Sequence, residues 1–395
     1  MHLRDSERDH AFRLEARAWL KENVPRLPPP PGESDWTGRR AWDMTWQRML
    51  FDAGYAGINW PAEYGGRGAT PTEHLIFLEE AAAAGAPDVG VAFVGLMHAG
   101  PTLIAEGTPE QQAHHQRGIL TGEHVWCQGF SEPGAGSDLA SLRCRAERDG
   151  EHYIVTGQKI WTSRAQAADY CELLVRTDPD APKHKGITWL IMPMDLPGIE
   201  VRPLVDIHGR AEFAELFLDE VRIPVGNRVG DENDGWRVAN VTLSFERGTG
   251  FVGELLETGR TLAELVTIAQ RLPREGGAAW DDMGIRREFG ALAAELDALW
   301  AFTKRNVSQG AKGALPIGGG SGFKLALAGV VHRLGDLALR VLDRAALTFD
   351  DQHDLPTGAQ VHGKLHAFAV STGGGTSQIQ QNIIAERVLG LPRER

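Results

Sequence analysis

The hydrophobic period of this chain changes twice, and those changes constrain the fold more than any single motif does. Up to about residue 120, apolar residues recur every three or four positions. Phe12, Ala16, Trp19, Leu20 and Val24 form one stripe, and Trp42, Trp46, Met49, Leu50 and Ala53 form the next. Such stripes predict amphipathic helices whose tryptophans belong to the core. Between them, residues 25–34 hold five prolines and read as an extended connection. More helices are predicted over 73–84, around 89–106, and over 109–120, with Thr108 as N-cap before Pro109. Past Trp126 the period becomes two, in short runs at 142–148, 153–156, 159–162, 171–176, 187–193, 200–205 and 215–221, and Asp149-Gly150 marks a hairpin turn. From Gly235 the helical period returns at 236–271, 282–305, 323–347 and 376–391, broken by loops at 272–279, 310–322 and 350–358.

These periods predict an α+β chain of three domains: an N-terminal helical domain (1–121), a middle antiparallel β-barrel or sandwich (122–232) and a C-terminal four-helix bundle (233–395). A length of 395 residues exceeds one simple core and agrees with that division.

A formal charge of −12 argues against a nucleic-acid or anionic-membrane surface, so a phosphate-bearing ligand needs a local basic pocket. Cys127, Cys144 and Cys171 form no Cys-x-x-Cys and read as reduced thiols. The charged start and the lack of any run of ~20 apolar residues predict a cytoplasmic protein. No metal site is expected, because the adjacent His114 and His115 point to different helix faces and read as part of a solvated helix. The glycine run at 318–322 lacks the Gly-Lys-Ser/Thr ending of a phosphate loop and follows no strand. It reads as a connector, with Ser321 or a neighbour capping the next helix.

The stretch from Trp126 to Ser163 carries the chemistry. Ser131-Glu132-Pro133-Gly134-Ala135-Gly136-Ser137-Asp138 is a turn whose two glycines leave main-chain N–H groups uncovered. Taken alone it is either an ordinary hairpin connection or a cradle for a phosphate or ring edge. Leu139 stands where a dinucleotide fingerprint requires a third glycine, so a Rossmann mode of binding is excluded.

Together with Val155-Thr156-Gly157-Gln158-Lys159-Ile160-Trp161-Thr162-Ser163, this loop resembles the double signature of the acyl-CoA dehydrogenase family. Trp60–Gly66 and Gly375–Gln380 extend the resemblance over nearly the whole chain. It implies bound FAD, removal of an α-proton from an acyl-CoA thioester by a carboxylate, and loss of the β-hydride to the flavin. It also implies electron-transfer flavoprotein as acceptor, a place in fatty-acid or steroid side-chain degradation, and a dimer or a homo- or heterotetramer. By the same resemblance Gln128, Phe130, Ser131 and Gly136 border the FAD, Ser137 reaches its pyrophosphate and the substrate, Trp161 packs on the ring, and Ser163 bonds its N5 edge. Thr376 and Gln378, at the start of the last helix, reach the FAD of another subunit.

The chain departs from the family at Gly374, where many members carry the glutamate base. Glu246, followed by Arg247 at the substrate, resembles the alternative base position, and Ala239, Thr242, Gly250 and Gly253 are expected on its helix face. The family's Arg-x-x-Phe-Gly has only a misplaced match at Arg286, Phe289 and Gly290, which is left unassigned. Two other readings follow from the missing glutamate: a catalytically silent partner subunit, or a flavoprotein working on a carrier-bound acyl group. Bacterial members acting on steroid side-chain thioesters share the Gly-Gly-Thr ending, and some of them form mixed tetramers. Chain length and ring content of the acyl group are not legible.

Overall fold

A computed structural model describes residues 5–392 except Glu33, His208, Gly250 and 311–318, with the side chains at 246–249 and 310 also outside the described residues. In chain order the helices and strands are α1 (Glu7–Asn23), α2 (Trp36–Asp52), α3 (Pro71–Ala83), α4 (Gly100–Glu106), α5 (Pro109–Thr121), β1 (Trp126–Gly129), β2 (Arg145–Asp149), β3 (His152–Ser163) and β4 (Tyr170–Arg176). There follow β5 (Ile187–Pro193), β6 (Ile199–Leu204), β7 (Phe213–Pro224), β8 (Arg228–Val229), α6 (Gly235–Thr249), α7 (Val252–Arg271), α8 (Met283–Gly310), α9 (Gly319–Leu342), α10 (Thr357–Thr372) and α11 (Ser377–Ile383). By their contacts these fall into two compact units, Glu15–Thr70 with Ala84–Glu246, and Met1–Leu14 with Pro71–Ala83 and Arg247–Arg395.

The unit that contains Trp126–Ser163 is built on an eight-stranded sheet of order β6-β7-β3-β2-β4-β5-β8, with β1 parallel to β4. Most pairings are antiparallel, and the β2–β3 hairpin turns at Gly150, whose φ is 59°. The runs at 153–156 and 159–162 prove to be one strand, β3, whose register against β7 shifts at Val155/Gly157 and again at Lys159/Thr162. Gly157 explains the interrupted pattern, because a Cβ there would lie 2.7 Å from the Cys144 Cα. The strand runs too close to its neighbour for a side chain, and the alternation pauses at that point. Cys127, Cys144, Cys171, Tyr153, Val155 and Leu173 fill the core on one face, and all three cysteines are free thiols.

Helices of the same unit have the ends that their sequences encode. The Thr108 hydroxyl accepts from the Gln111 N–H while the Gln111 side chain accepts from the Thr108 N–H, a capping box, and Pro109 occupies the first turn. Trp46 and Trp60 are core residues, as expected. His115, by contrast, is buried with its ring edge-on to Trp126 and Tyr170, so only His114 of that pair faces solvent.

In the other unit α7, α8, α9 and α10 form the helical bundle, with α3 packed on α7 and α8. Leu255, Leu262 and Leu265 of α7 meet Leu292 and Leu296 of α8 and Leu327, Leu334 and Val341 of α9 in one core. Spacings of three, four and seven put these residues on single helix faces. Helix α10 has no counterpart in the sequence reading. Its buried face is Thr357, Gly358, Gln360, Val361 and Ala367, which has too little apolar bulk to register as a stripe. The expected cap at Ser321 is also displaced, since α9 begins at Gly319 and Ser321 is a buried residue within it.

Candidate functional site

Past the end of β1 the chain runs through Phe130 and Ser131 into a tight turn, closed by mutual backbone hydrogen bonds of Glu132 and Ala135 at 3.1 and 3.0 Å. The Ile160 N–H donates to the Ser131 carbonyl at 3.0 Å, so β3 carries this loop on its edge. Neither Gly134 nor Gly136 has a positive φ, and a Cβ built at either meets nothing within 4 Å. Glycine therefore serves access here, leaving one side of the loop open. Ser137 is exposed and Ser131 half-buried, whereas the Phe130 ring is buried, which leaves its main chain for any ligand. At the outer end of the loop Lys183 donates to Asp138 at 2.6 Å, and with Ser141 it holds that carboxyl below its usual range.

Trp161 sits in the left-handed region, with φ 61°, and is 54% exposed. The cause is the register shift between Lys159 and Thr162, both of which remain buried while Trp161, one of the two residues between them, is pushed out. A non-glycine residue held so is strained by about 1–3 kcal/mol, and such strain concentrates at ligand sites. The indole is braced edge-on by Phe213 at 5.7 Å, and Ser163, half-buried, pairs with Phe213 across the ladder. An exposed aromatic face beside an open glycine loop and two hydroxyls fits a planar ring with a phosphate tail. Trp161→Ala is expected to leave the apo fold intact while weakening FAD retention roughly 2- to 10-fold, the worth of a ~0.5–1.5 kcal/mol aromatic contact. Dissociation constants from fluorescence quenching check this, and an unchanged constant would remove Trp161 from the site.

Two buried networks under the loop have no place in the sequence reading. Lys159, wholly buried, donates to the Phe130 carbonyl at 3.2 Å and to Glu132 Oε1 at 2.8 Å. Gln128 donates to Glu172 Oε1 at 2.7 Å, and His98 Nδ1 lies 3.2 Å from the same oxygen. The Gln128 amide is therefore engaged by protein groups. A signal for Lys159 was present, since it continues the inward parity of Tyr153, Val155 and Gly157.

Helix α6 carries the proposed base position. Gly235, Val238, Ala239 and Thr242 are buried, and Thr242 Oγ1 accepts from Thr102 Oγ1 at 2.9 Å. Residue 246 continues that face by helical register, although the side chains of Glu246 and Arg247 lie outside the described residues. Gly253 does not extend it. Helix α6 ends at Thr249, α7 starts at Val252, and Gly250 itself lies outside the described residues.

In the other unit, the turn before α11 places Gly374 at φ 59° and Gly375 at φ 89°. The buried Lys324 ammonium donates to the carbonyls of Gly373 and Gly375, and Gln380 donates to that of Gly374 at 3.0 Å. Thr376 caps α11 by accepting from the Ile379 N–H at 3.3 Å, and Gln378 is exposed. Phe289 of the misplaced Arg-x-x-Phe-Gly match is a core residue of α8.

Three family models match consecutive stretches of the chain: acyl-CoA dehydrogenase N-terminal domain over residues 6–123, middle domain over 127–221 and C-terminal domain over 233–389. Over 393 residues the chain is 40% identical to acyl-CoA dehydrogenase IpdE1 of Mycobacterium tuberculosis, covering 97% of this chain and 98% of that protein. The ChsE4-ChsE5 complex of Mycobacterium tuberculosis is similar over 100% of both chains, with a TM-score of 0.86 and 32% identity. A steroid ACAD, Tcur3481-Tcur3483, matches equally, at a TM-score of 0.86 and 30% identity over 100% of both chains. Members of this family are FAD-dependent oxidoreductases, and the open loop, the hydroxyls and the projecting indole fit that cofactor. The chain belongs to the acyl-CoA dehydrogenase family.

Proposed function

We propose that this chain desaturates the α,β bond of an acyl-CoA thioester bearing a steroid-derived ring group, with Glu246 as the base. The observation that carries the assignment of the base is the register of α6, on which Val238, Ala239 and Thr242 are buried and position 246 follows Thr242 by one helical turn. Gly374 cannot abstract a proton. Glu246 takes the α-proton, and Arg247 orients the thioester. Ser131, Gly136, Ser137, Trp161 and Ser163 hold the cofactor, with Gln128 and Phe130 beneath them. Bound FAD supplies the acceptor for the β-hydride. Thr376 and Gln378 approach it from a neighbouring subunit in a closed oligomer.

The ring-bearing substrate and a second, different subunit are argued from the relatives, one named as a complex of ChsE4 with ChsE5 and one as a steroid ACAD. Electron-transfer flavoprotein would reoxidise the flavin. Among the described residues no helix is long and apolar enough to cross a membrane, and the buried unpaired thiols suit a reducing cytoplasm.

The test is anaerobic mixing of the yellow protein, alone and with a candidate partner chain, with a steroid side-chain thioester and with a straight-chain one. Bleaching of the flavin by the ring-bearing thioester is expected. Bleaching by the straight chain alone would reject the substrate assignment, and bleaching by neither with flavin bound would favour the silent subunit.

A further inference from the structure

Lys159 is a fully buried cation that no proton or hydride transfer requires. Its partner Glu132, 9% exposed, is itself held by the Arg143 N–H at 2.7 Å and the Cys144 N–H at 2.9 Å. A buried ion pair is weak evidence for stability, because apolar replacements of similar volume are often neutral or better. Geometry is the more direct reason for keeping one here. The ammonium draws the Phe130 carbonyl toward the core at 3.2 Å. No cis peptide bond occurs among the described residues, and in a planar trans peptide the next N–H points opposite to that carbonyl. The Ser131 N–H is thereby turned away from Lys159, out of the core. The Ser131 carbonyl is fixed separately by the Ile160 N–H at 3.0 Å, so both peptide planes flanking Ser131 are locked.

We propose that Lys159 is a positioning residue for the flavin: by holding the Phe130 carbonyl inward it aims the Ser131 N–H at the edge of the bound ring. Glu132 neutralises the ammonium and ties it to the start of β2 through Arg143 and Cys144, which are the residues just before that strand. The inference rests on the reading of residues 130–137 as the FAD loop. If the parent protein takes up no FAD, it is that reading that fails.

Two variants decide the role of Lys159. E132Q/K159M removes both charges and the bond to the Phe130 carbonyl, while E132Q removes the charge of the partner and leaves Lys159 in place. Far-UV circular dichroism of the apo proteins controls for folding, and the readouts are the FAD dissociation constant and the visible spectrum of the bound flavin. E132Q/K159M is expected to bind FAD at least ~10-fold more weakly, the scale of one hydrogen bond, with an altered flavin envelope. E132Q should lose less affinity than the double variant, since the Lys159 bond to the Phe130 carbonyl is kept. Parental affinity and spectrum in the folded double variant would overturn the proposal. So would a loss of FAD in folded E132Q as large as in the double variant; if the double variant does not fold, folded K159M is read in its place by the same criteria.

Discussion

Flavin reduction in Glu246→Gln is expected to fall by at least ~100-fold while FAD stays bound, the lower end of what a positioned general base contributes. The amide keeps the shape of the side chain and removes its basicity, so a loss confined to the reductive step separates chemistry from folding. Ala239 and Thr242, which precede position 246 on α6 by helical register, are 1% and 0% exposed. Rapid-mixing measurement of flavin bleaching gives the rate. If Glu246→Gln bleaches as fast as the parent with the same thioester, another base or the silent-subunit reading takes over.

Acidification should cost this protein several kcal/mol of stability through two histidines that are buried neutral. Desolvation lowers His74 to about 4, and burial, aided by the charges of His114 and His124, lowers His115 to about 3. Both native values lie below the unfolded value near 6.5. The unfolded chain therefore takes up protons that the native state refuses. This contribution is complete above pH ~6.5 and is lost as pH falls toward 4 for His74 and toward 3 for His115, at ~1.4 kcal/mol per pH unit for each. At pH 4.5 each has cost on the order of 2–3 kcal/mol, a large fraction of a typical total of ~5–15 kcal/mol. The two lie in different compact units, so each unit carries its own acid-labile group. Urea titrations of the parent, His74→Phe and His115→Phe at pH 7.5 and 4.5 check this. Each variant should lose less stability than the parent between the two pH values. Equal losses would mean that the native state accommodates both imidazolium ions.

The layers of the fold were legible because the hydrophobic period reports burial, and burial follows secondary structure. Where a buried face is built from polar or small residues the period falls silent, and α10, with Gln360, Thr357 and Ala367 inward, was missed for that reason. The opposite error split β3, because Gly157 supplies no side chain to continue the alternation. At the site, the residues exposed to a ligand were legible as a motif. Those that brace them from behind were not, since Lys159 and Glu132 meet only through a turn that no linear spacing shows. On α6 the extent of the expected face was not legible, because the end of the helix lies in a Gly-Thr-Gly sequence that permits either a break or continuation.

The Gly373–Gly375 turn also sets a backbone cost on any acid introduced there. A glutamate introduced at 374 would have to adopt φ near 59°, at a cost of about 1–3 kcal/mol, in a backbone whose carbonyls are already held by Lys324 and Gln380. A single substitution to an acid at this turn thus carries backbone strain with it. An acid at 374 therefore becomes a relaxed residue only if the turn and its two side-chain anchors are rebuilt with it.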